Sequence, residues 1–382
     1  MKIERFQMER TQCLYENEVD FNLSESGVYP LSLGELVPEH DQREILDAKP
    51  ICYPCSTGRE SLRQNIARFY GGDDYKSVLV VNGGSEANYV AMWGMVGESD
   101  RVAFMLPNYL QGWGLARAYG KQVDGYKLVM KRDSHGKWNW QLDVDSLRKA
   151  ISTKTRLIVV TNPNNPTGYV LGEEEMQIII DEARRVGAWI LADEIYRGAE
   201  TAGPLSPTFL GRYDKVIVTA GLSKAFGLPG LRCGWIVAPP KLIKHFCQYH
   251  DYLTLTPSFL SDYLADIVMA PDRREQVLAR TRRIIGENLP ELEAWIADNA
   301  DIFSYARPMA GAIATLKYSL PIGSVALFNR LREQQSVLIT PGAHFGIGRY
   351  LRIGFGYDLD RLKQGLRRID PVLQELRDKK AA

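Results

Sequence analysis

Between residues 60 and 240 the chain alternates two hydrophobic rhythms. Residues 59–70 (RESLRQNIARFY) carry apolar side chains at helical spacing, and the β-branched run 78–81 (VLVV) stops at Asn82-Gly83-Gly84. Residues 85–95 predict a helix and 102–106 a strand. The runs 157–161 (LIVVT) and 189–192 (WILA) are apolar throughout, and a helical pattern over 173–186 separates them. Two further strand runs follow at 216–220 (VIVTA) and 233–237. Strands without a polar face, interleaved with helices, predict an α/β fold with a mainly parallel sheet covered on both sides.

Near residue 257 the alternation stops. Residues 258–299 read as helix, with Pro271 as a stop and one long helix near 272–298. Short strands at 313–316, 337–340 and 351–355 then mix with helices at 323–334 and 360–377. This pattern predicts a smaller α+β unit. The expected division is 1–45 as an N-terminal arm with part of the small domain, 46–285 as the large domain, and 286–382 as the small C-terminal domain.

A chain of 382 residues can bury the cores of two or three domains at roughly 150 residues each. Its 47 basic and 46 acidic residues leave a net charge of +1, so nothing points to a nucleic acid or a membrane surface as partner. No apolar run reaches the ~18 residues of a membrane span. The opening Met1-Lys2-Ile3-Glu4-Arg5-Phe6 is not patterned as a signal peptide. Five scattered cysteines fit reduced thiols, and a cytoplasmic location is expected. Cys52 and Cys55 form a C-x-x-C pair without a second pair. The histidines His40, His135, His245, His250 and His344 lack ligand spacing, so no metal site is expected.

Three polar loops follow predicted strands. They are Thr161-Asn162-Pro163-Asn164-Asn165-Pro166-Thr167-Gly168, Asp193-Glu194-Ile195-Tyr196-Arg197, and Ser223-Lys224-Ala225-Phe226-Gly227-Leu228-Pro229-Gly230-Leu231-Arg232. Each alone reads as a turn, a capping acid or a basic loop. Together they converge on the C-terminal edge of a parallel sheet, where open α/β sheets bind ligands.

The order Asn165, Asp193, Lys224, Arg232 resembles the class I/II aminotransferase family, the pyridoxal-phosphate (PLP) enzymes of fold type I, over about residues 20–375. The resemblance implies roles. Lys224 would hold PLP as a Schiff base and move protons, Asp193 would pair with the protonated ring nitrogen, and Tyr196 and Asn165 would bond the ring hydroxylate. Asn165-Pro166 is a candidate cis bond. The amides of Gly84, Ser85 and Glu86 would cradle the phosphate at a helix N-terminus, joined by Arg232 and Ser223. Tyr109 would stack on the ring. Tyr53, in Y-x4-G-x3-L-R, would reach the phosphate of a neighbouring subunit, which implies a homodimer with shared sites. Arg352 would clamp the substrate carboxylate, with Asn165 beside it. One position departs from the pattern: Gly221 stands three before Lys224, where the family carries Ser or Thr.

The stretches 22–28 and 250–258, with the Lys224 loop, resemble the PLP cyclases of capreomycidine and enduracididine formation. That likeness implies a cyclodehydratase acting on β- or γ-hydroxyarginine. Glu25, with Asp251 behind it, is the candidate acid for the guanidinium, and Gly27 lies on the same loop. His344 is a candidate pocket residue. The alternatives are an amino acid:2-oxo acid aminotransferase and, in a different class, a PLP-binding regulator or inactive scaffold. Lys224 and Asp193 argue against the last.

Overall fold

The computed structural model describes residues 3–37, 42–43 and 51–381. His40 and the expected boundary at 45–46 lie outside the described residues. A helix at Gln7–Tyr15 comes first, then β1 (Phe21–Asn22), the helices Leu33–Leu36 and Glu60–Phe69, and β2 (Val78–Val81). Next are the helix Gly84–Met95, β3 (Arg101–Leu106), the helix Gln111–Tyr119, and the strands β4 (Gln122–Arg132) and β5 (Trp138–Leu142). The helices Val144–Ala150 and Glu173–Val186 flank β6 (Thr155–Thr161), and β7 (Trp189–Asp193), β8 (Val216–Gly221) and β9 (Gly234–Val237) follow.

These strands build an eight-stranded sheet in the order β2-β9-β8-β7-β6-β3-β4-β5. The run from β8 to β4 is parallel throughout. Strand β9 departs from a purely parallel pattern, because it pairs antiparallel with both β2 and β8. The period of two sends alternate side chains to opposite faces. Leu79, Val102, Phe104, Leu157, Leu191 and Ile217 meet the helices Gly84–Met95, Gln111–Tyr119 and Pro240–His250 on one face. Val78, Val80, Ala103, Ile158, Ile190 and Val218 join the larger core on the other. Both faces of β2, β3, β6, β7 and β8 are dry, as their unbroken apolar runs predict.

The predicted helical stretch divides at Pro271 into Phe259–Met269 and Pro271–Asp298. Beyond it lie β10 (Phe303–Tyr305), β11 (Ile313–Tyr318), the helix Ser324–Gln335, β12 (Val337–Leu338), β13 (Thr340–Pro341), β14 (Tyr350–Gly354) and the helix Leu359–Ala381. The single strand expected at 337–340 is two. β12 pairs with β1, while β13 joins the antiparallel sheet β10-β11-β14-β13. Among the described residues no helix is long and apolar enough to cross a membrane.

Candidate active site

The ends of β2, β3, β6, β7 and β8 deliver polar loops to one edge of the large sheet. A cavity of about 290 Å³ opens there, lined by Gly84, Ser85, Tyr109, Asn165, Asp193, Tyr196, Ser223, Lys224 and Arg232, among others. Residues spread over about 150 positions meet because each follows a strand of the same sheet.

Asp193 ends β7, and its side chain points opposite to that of the neighbouring Glu194. Its oxygens accept from Asn88 Nδ2 at 2.8 Å and from the Ile195 amide at 3.1 Å. Burial pushes its pKa up, and those two donors pull it back. Tyr196 is buried, and its hydroxyl has no partner among the described residues. Asn165 follows β6 across a cis bond to Pro166. Its Oδ1 accepts from Arg352 Nη1 at 3.0 Å.

Arg352 lies in β14, fully buried, with its guanidinium 5.1 Å from the centre of the Phe345 ring. Its Nη2 donates to the Ser24 carbonyl and to Thr340 Oγ1, and its Nε has no partner among the described residues. Burial lowers its pKa, opposed by Tyr196 and by Glu25 and Glu9. A buried guanidinium with an unused donor is suited to an anionic ligand.

The helix Gly84–Met95 begins at Gly83, whose φ of +98° is open to glycine. A Cβ at Gly83 would stand 3.0 Å from Arg232 Cζ, so the guanidinium lies against the bare backbone. The first amides of a helix lack intrahelical acceptors, and with Arg232 they make an anion cradle. Glu86 is not brought to the cavity. Its amide donates to the Gly83 carbonyl at 3.1 Å, and its carboxylate accepts from Thr254 Oγ1 at 2.8 Å beside His250 Nε2.

Tyr109 follows β3, and Asn108 Oδ1 accepts from both its amide and Thr161 Oγ1. The Tyr109 hydroxyl donates to Glu9 Oε1 at 2.8 Å, and its ring meets Phe6 edge-on at 4.9 Å. Burial, with Glu9 beside it, pushes its pKa up. The helix Gln7–Tyr15 thus covers the cavity, with Met8, Glu9 and Gln12 in its lining. Nothing in the local sequence marks Glu9, because its partner lies 100 residues away. Asn88 had a usable signal: it stands three residues after Ser85, on the same helix face.

Glu25 and Gly27 line an adjoining cavity of about 260 Å³ with Tyr29, Ser223 and Tyr357. Glu25 Oε1 accepts from Gln12 Nε2 at 2.6 Å. A Cβ on Gly27 would lie 3.8 Å from Lys224 Cδ, so this loop touches the lysine stem. His344 lines a different cavity with Phe6 and Gln111. Asp251 is exposed and lines neither cavity. Tyr53 is 82% exposed and is not in the cavity of its own chain.

The model of the aminotransferase class I and II family matches residues 26–369, and the chain belongs to that family. Capreomycidine synthase of Streptomyces vinaceus is 30% identical, over 92% of this chain and 89% of that protein. A PLP-dependent aminotransferase from Streptococcus suis superposes with a TM-score of 0.90 at 27% identity, covering 98% of this chain and 99% of that one. The PLP-dependent cyclase OrfR gives a TM-score of 0.86 at 25% identity, covering 98% of each chain. The protein is an α/β enzyme of fold type I with pyridoxal phosphate as its cofactor. The cavity fits that group: a buried carboxylate for a ring nitrogen, an unpartnered tyrosine hydroxyl for a ring oxygen, a lysine, and an anion cradle.

Proposed function

We propose that the protein is a cyclodehydratase that converts a β- or γ-hydroxylated L-arginine to a cyclic guanidino amino acid and water. The supporting observation is Glu9, a carboxylate inside the cavity of a chain related to capreomycidine synthase. Glu25 lines the space beyond. Two acids beside the lysine suit a guanidinium, whose charge each of them can pair while keeping its neutral partner in the chain.

Pyridoxal phosphate supplies the electron sink for a carbanion at the substrate α-carbon. Lys224 holds the group and takes the α-proton. Asp193 keeps the ring nitrogen protonated, and Tyr196 and Asn165 hold the ring oxygen. Gly84, Ser85, Ser223 and Arg232 hold the phosphate, and Tyr109 covers the ring. Arg352 fixes the substrate carboxylate. Glu9 and Glu25 would then hold the guanidine over the carbon that loses the hydroxyl, where orientation alone contributes about 7–11 kcal/mol at best. The carbon–oxygen bond would break, a carbon–nitrogen bond would form, and the guanidine proton would leave with the hydroxyl as water. Lys224 would return the α-proton to carbon, with a β-proton also removed and returned where the hydroxyl is on the γ-carbon.

Plain aminotransfer to a 2-oxo acid is the second reading, favoured by the likeness to the Streptococcus suis enzyme. Mass spectrometry of products from arginine, both hydroxyarginines and common amino acids separates them. Loss of water from a hydroxyarginine is expected, and only amine exchange would overturn the cyclase reading. Lys224→Ala should abolish both.

We also propose a cytoplasmic homodimer, with the chain divided at 1–45, 46–285 and 286–382. Pairing of Phe21–Asn22 with Val337–Leu338 supports joining the arm to the small domain. Exposed Ile51, Tyr53 and Tyr252 support a second copy covering that surface. Mixing inactive Lys224→Ala and Tyr53→Phe proteins should restore about a quarter of wild-type activity, because half of the dimers would be hybrids with one intact site. No recovery after subunit exchange would contradict the shared site.

A further inference from the structure

We infer that Asn88 and Thr219 are positioning residues that aim the Asp193 carboxylate at the cofactor ring. The inference rests on the pyridoxal-phosphate reading of the cavity. Asn88 lies in the second turn of the helix Gly84–Met95, and Thr219 lies in β8, in register with Asp193 of β7. Asn88 Nδ2 donates to Asp193 Oδ2 at 2.8 Å, and Thr219 Oγ1 donates to Asn88 Oδ1 at 2.6 Å.

The polarity of this chain is forced. An ionised carboxylate only accepts, so the amide must turn its NH2 toward Asp193. Its oxygen then faces Thr219, whose hydroxyl has the proton to give. Thr219 is fully buried, so no water can take its place. Without that hydroxyl the Asn88 oxygen loses its donor, and the amide is no longer held in place in front of the carboxylate. The Ile195 amide holds the other oxygen of Asp193. Each oxygen therefore has one donor from the chain and a lone pair to spare for a ring N–H. Burial works against the charged form of Asp193, and these donors oppose it.

A structural strut would look alike in a stability assay, so the test must see the ring nitrogen. It compares the enzyme reconstituted with pyridoxal phosphate and with its 1-deaza analogue, in which carbon replaces that nitrogen. Asn88→Leu and the isosteric Thr219→Val should each weaken pyridoxal phosphate binding about tenfold. Both should displace the pH at which its visible band changes. Affinity for the analogue should stay within about twofold of wild type, because no N–H meets Asp193. Thr219→Ser, which keeps the hydroxyl, should restore the wild-type values. Equal losses for both cofactors would assign the pair a packing role and overturn the inference, as would unchanged binding of pyridoxal phosphate. A wild-type chain that forms no visible band with pyridoxal phosphate would overturn the cofactor reading itself, and the inference with it.

Discussion

Gly221 lacks the hydroxyl that the family pattern puts three residues before the lysine, and the reason is steric. A Cβ there would stand 2.7 Å from the Cys233 carbonyl oxygen and 2.9 Å from Gly234 Cα. A Cβ on Gly234 would in turn reach the Gly84 amide at 2.5 Å. Three backbones, the ends of β8 and β9 and the start of the phosphate-cradling helix, come together where side chains would hold them apart. Adding a hydroxyl by Gly221→Ser therefore pushes the cradle open instead of supplying a donor. The expected outcome is a loss of about 1–3 kcal/mol in stability, with weaker cofactor binding. Urea unfolding of the apo form and a cofactor titration check it, and tighter binding would contradict the steric account. Of the site residues, those carried by loop motifs were legible: Asn165, Asp193, Tyr196, Lys224 and Arg232 all line one cavity. Glu86 lies outside that cavity, and its amide donates to the Gly83 carbonyl.

At the scale of elements, legibility followed burial. β2, β6, β7 and β8 are buried on both faces, and their unbroken apolar runs stand out in the sequence. β4 and β5 went unread because their signal is weaker. Tyr126 and Leu128 face the core, but Lys127 and Lys131 alternate with them, exposed Arg132 ends the strand, and Gly125 interrupts it. This hairpin closes the sheet edge, where one face meets water. The helix Gln7–Tyr15 escaped for another reason. It buries only Met8, so its own pattern is polar. Long-range contacts hold it instead: Glu9 to Tyr109, Gln12 to Glu25, and Arg332 over the Tyr15 ring at 4.1 Å. An element that borrows its stability from elsewhere leaves little trace in local periodicity. The antiparallel setting of β9 is equally invisible, because an apolar strand of four residues reads the same in either direction.

The whole molecule carries a buried and a half-buried titratable group whose effects on stability run against each other. Glu194 accepts from Thr208 Oγ1 and the Phe209 amide on one oxygen, and its other oxygen is buried without a partner among the described residues. Burial pushes its pKa from 4.5 to about 7. Between those values the folded chain keeps a proton that the unfolded chain has lost. Stability then falls as pH rises, by at most ~1.4 kcal/mol per pH unit. His344, half-buried with its Nδ1 unpartnered among the described residues, is pulled by burial from 6.5 down to about 4. There the unfolded chain holds the extra proton, and stability rises with pH. Across pH 4.5–6.5 the two slopes oppose, and the wild-type profile is flattened. Glu194→Gln should therefore make stability climb with pH across this window relative to wild type. His344→Gln should make it fall, and the double variant should return toward the wild-type slope, because the two groups sit in different parts of the fold. Urea midpoints at fixed protein concentration, taken across the window, measure all three. Parallel profiles for the two single variants would show that these groups do not set the pH response.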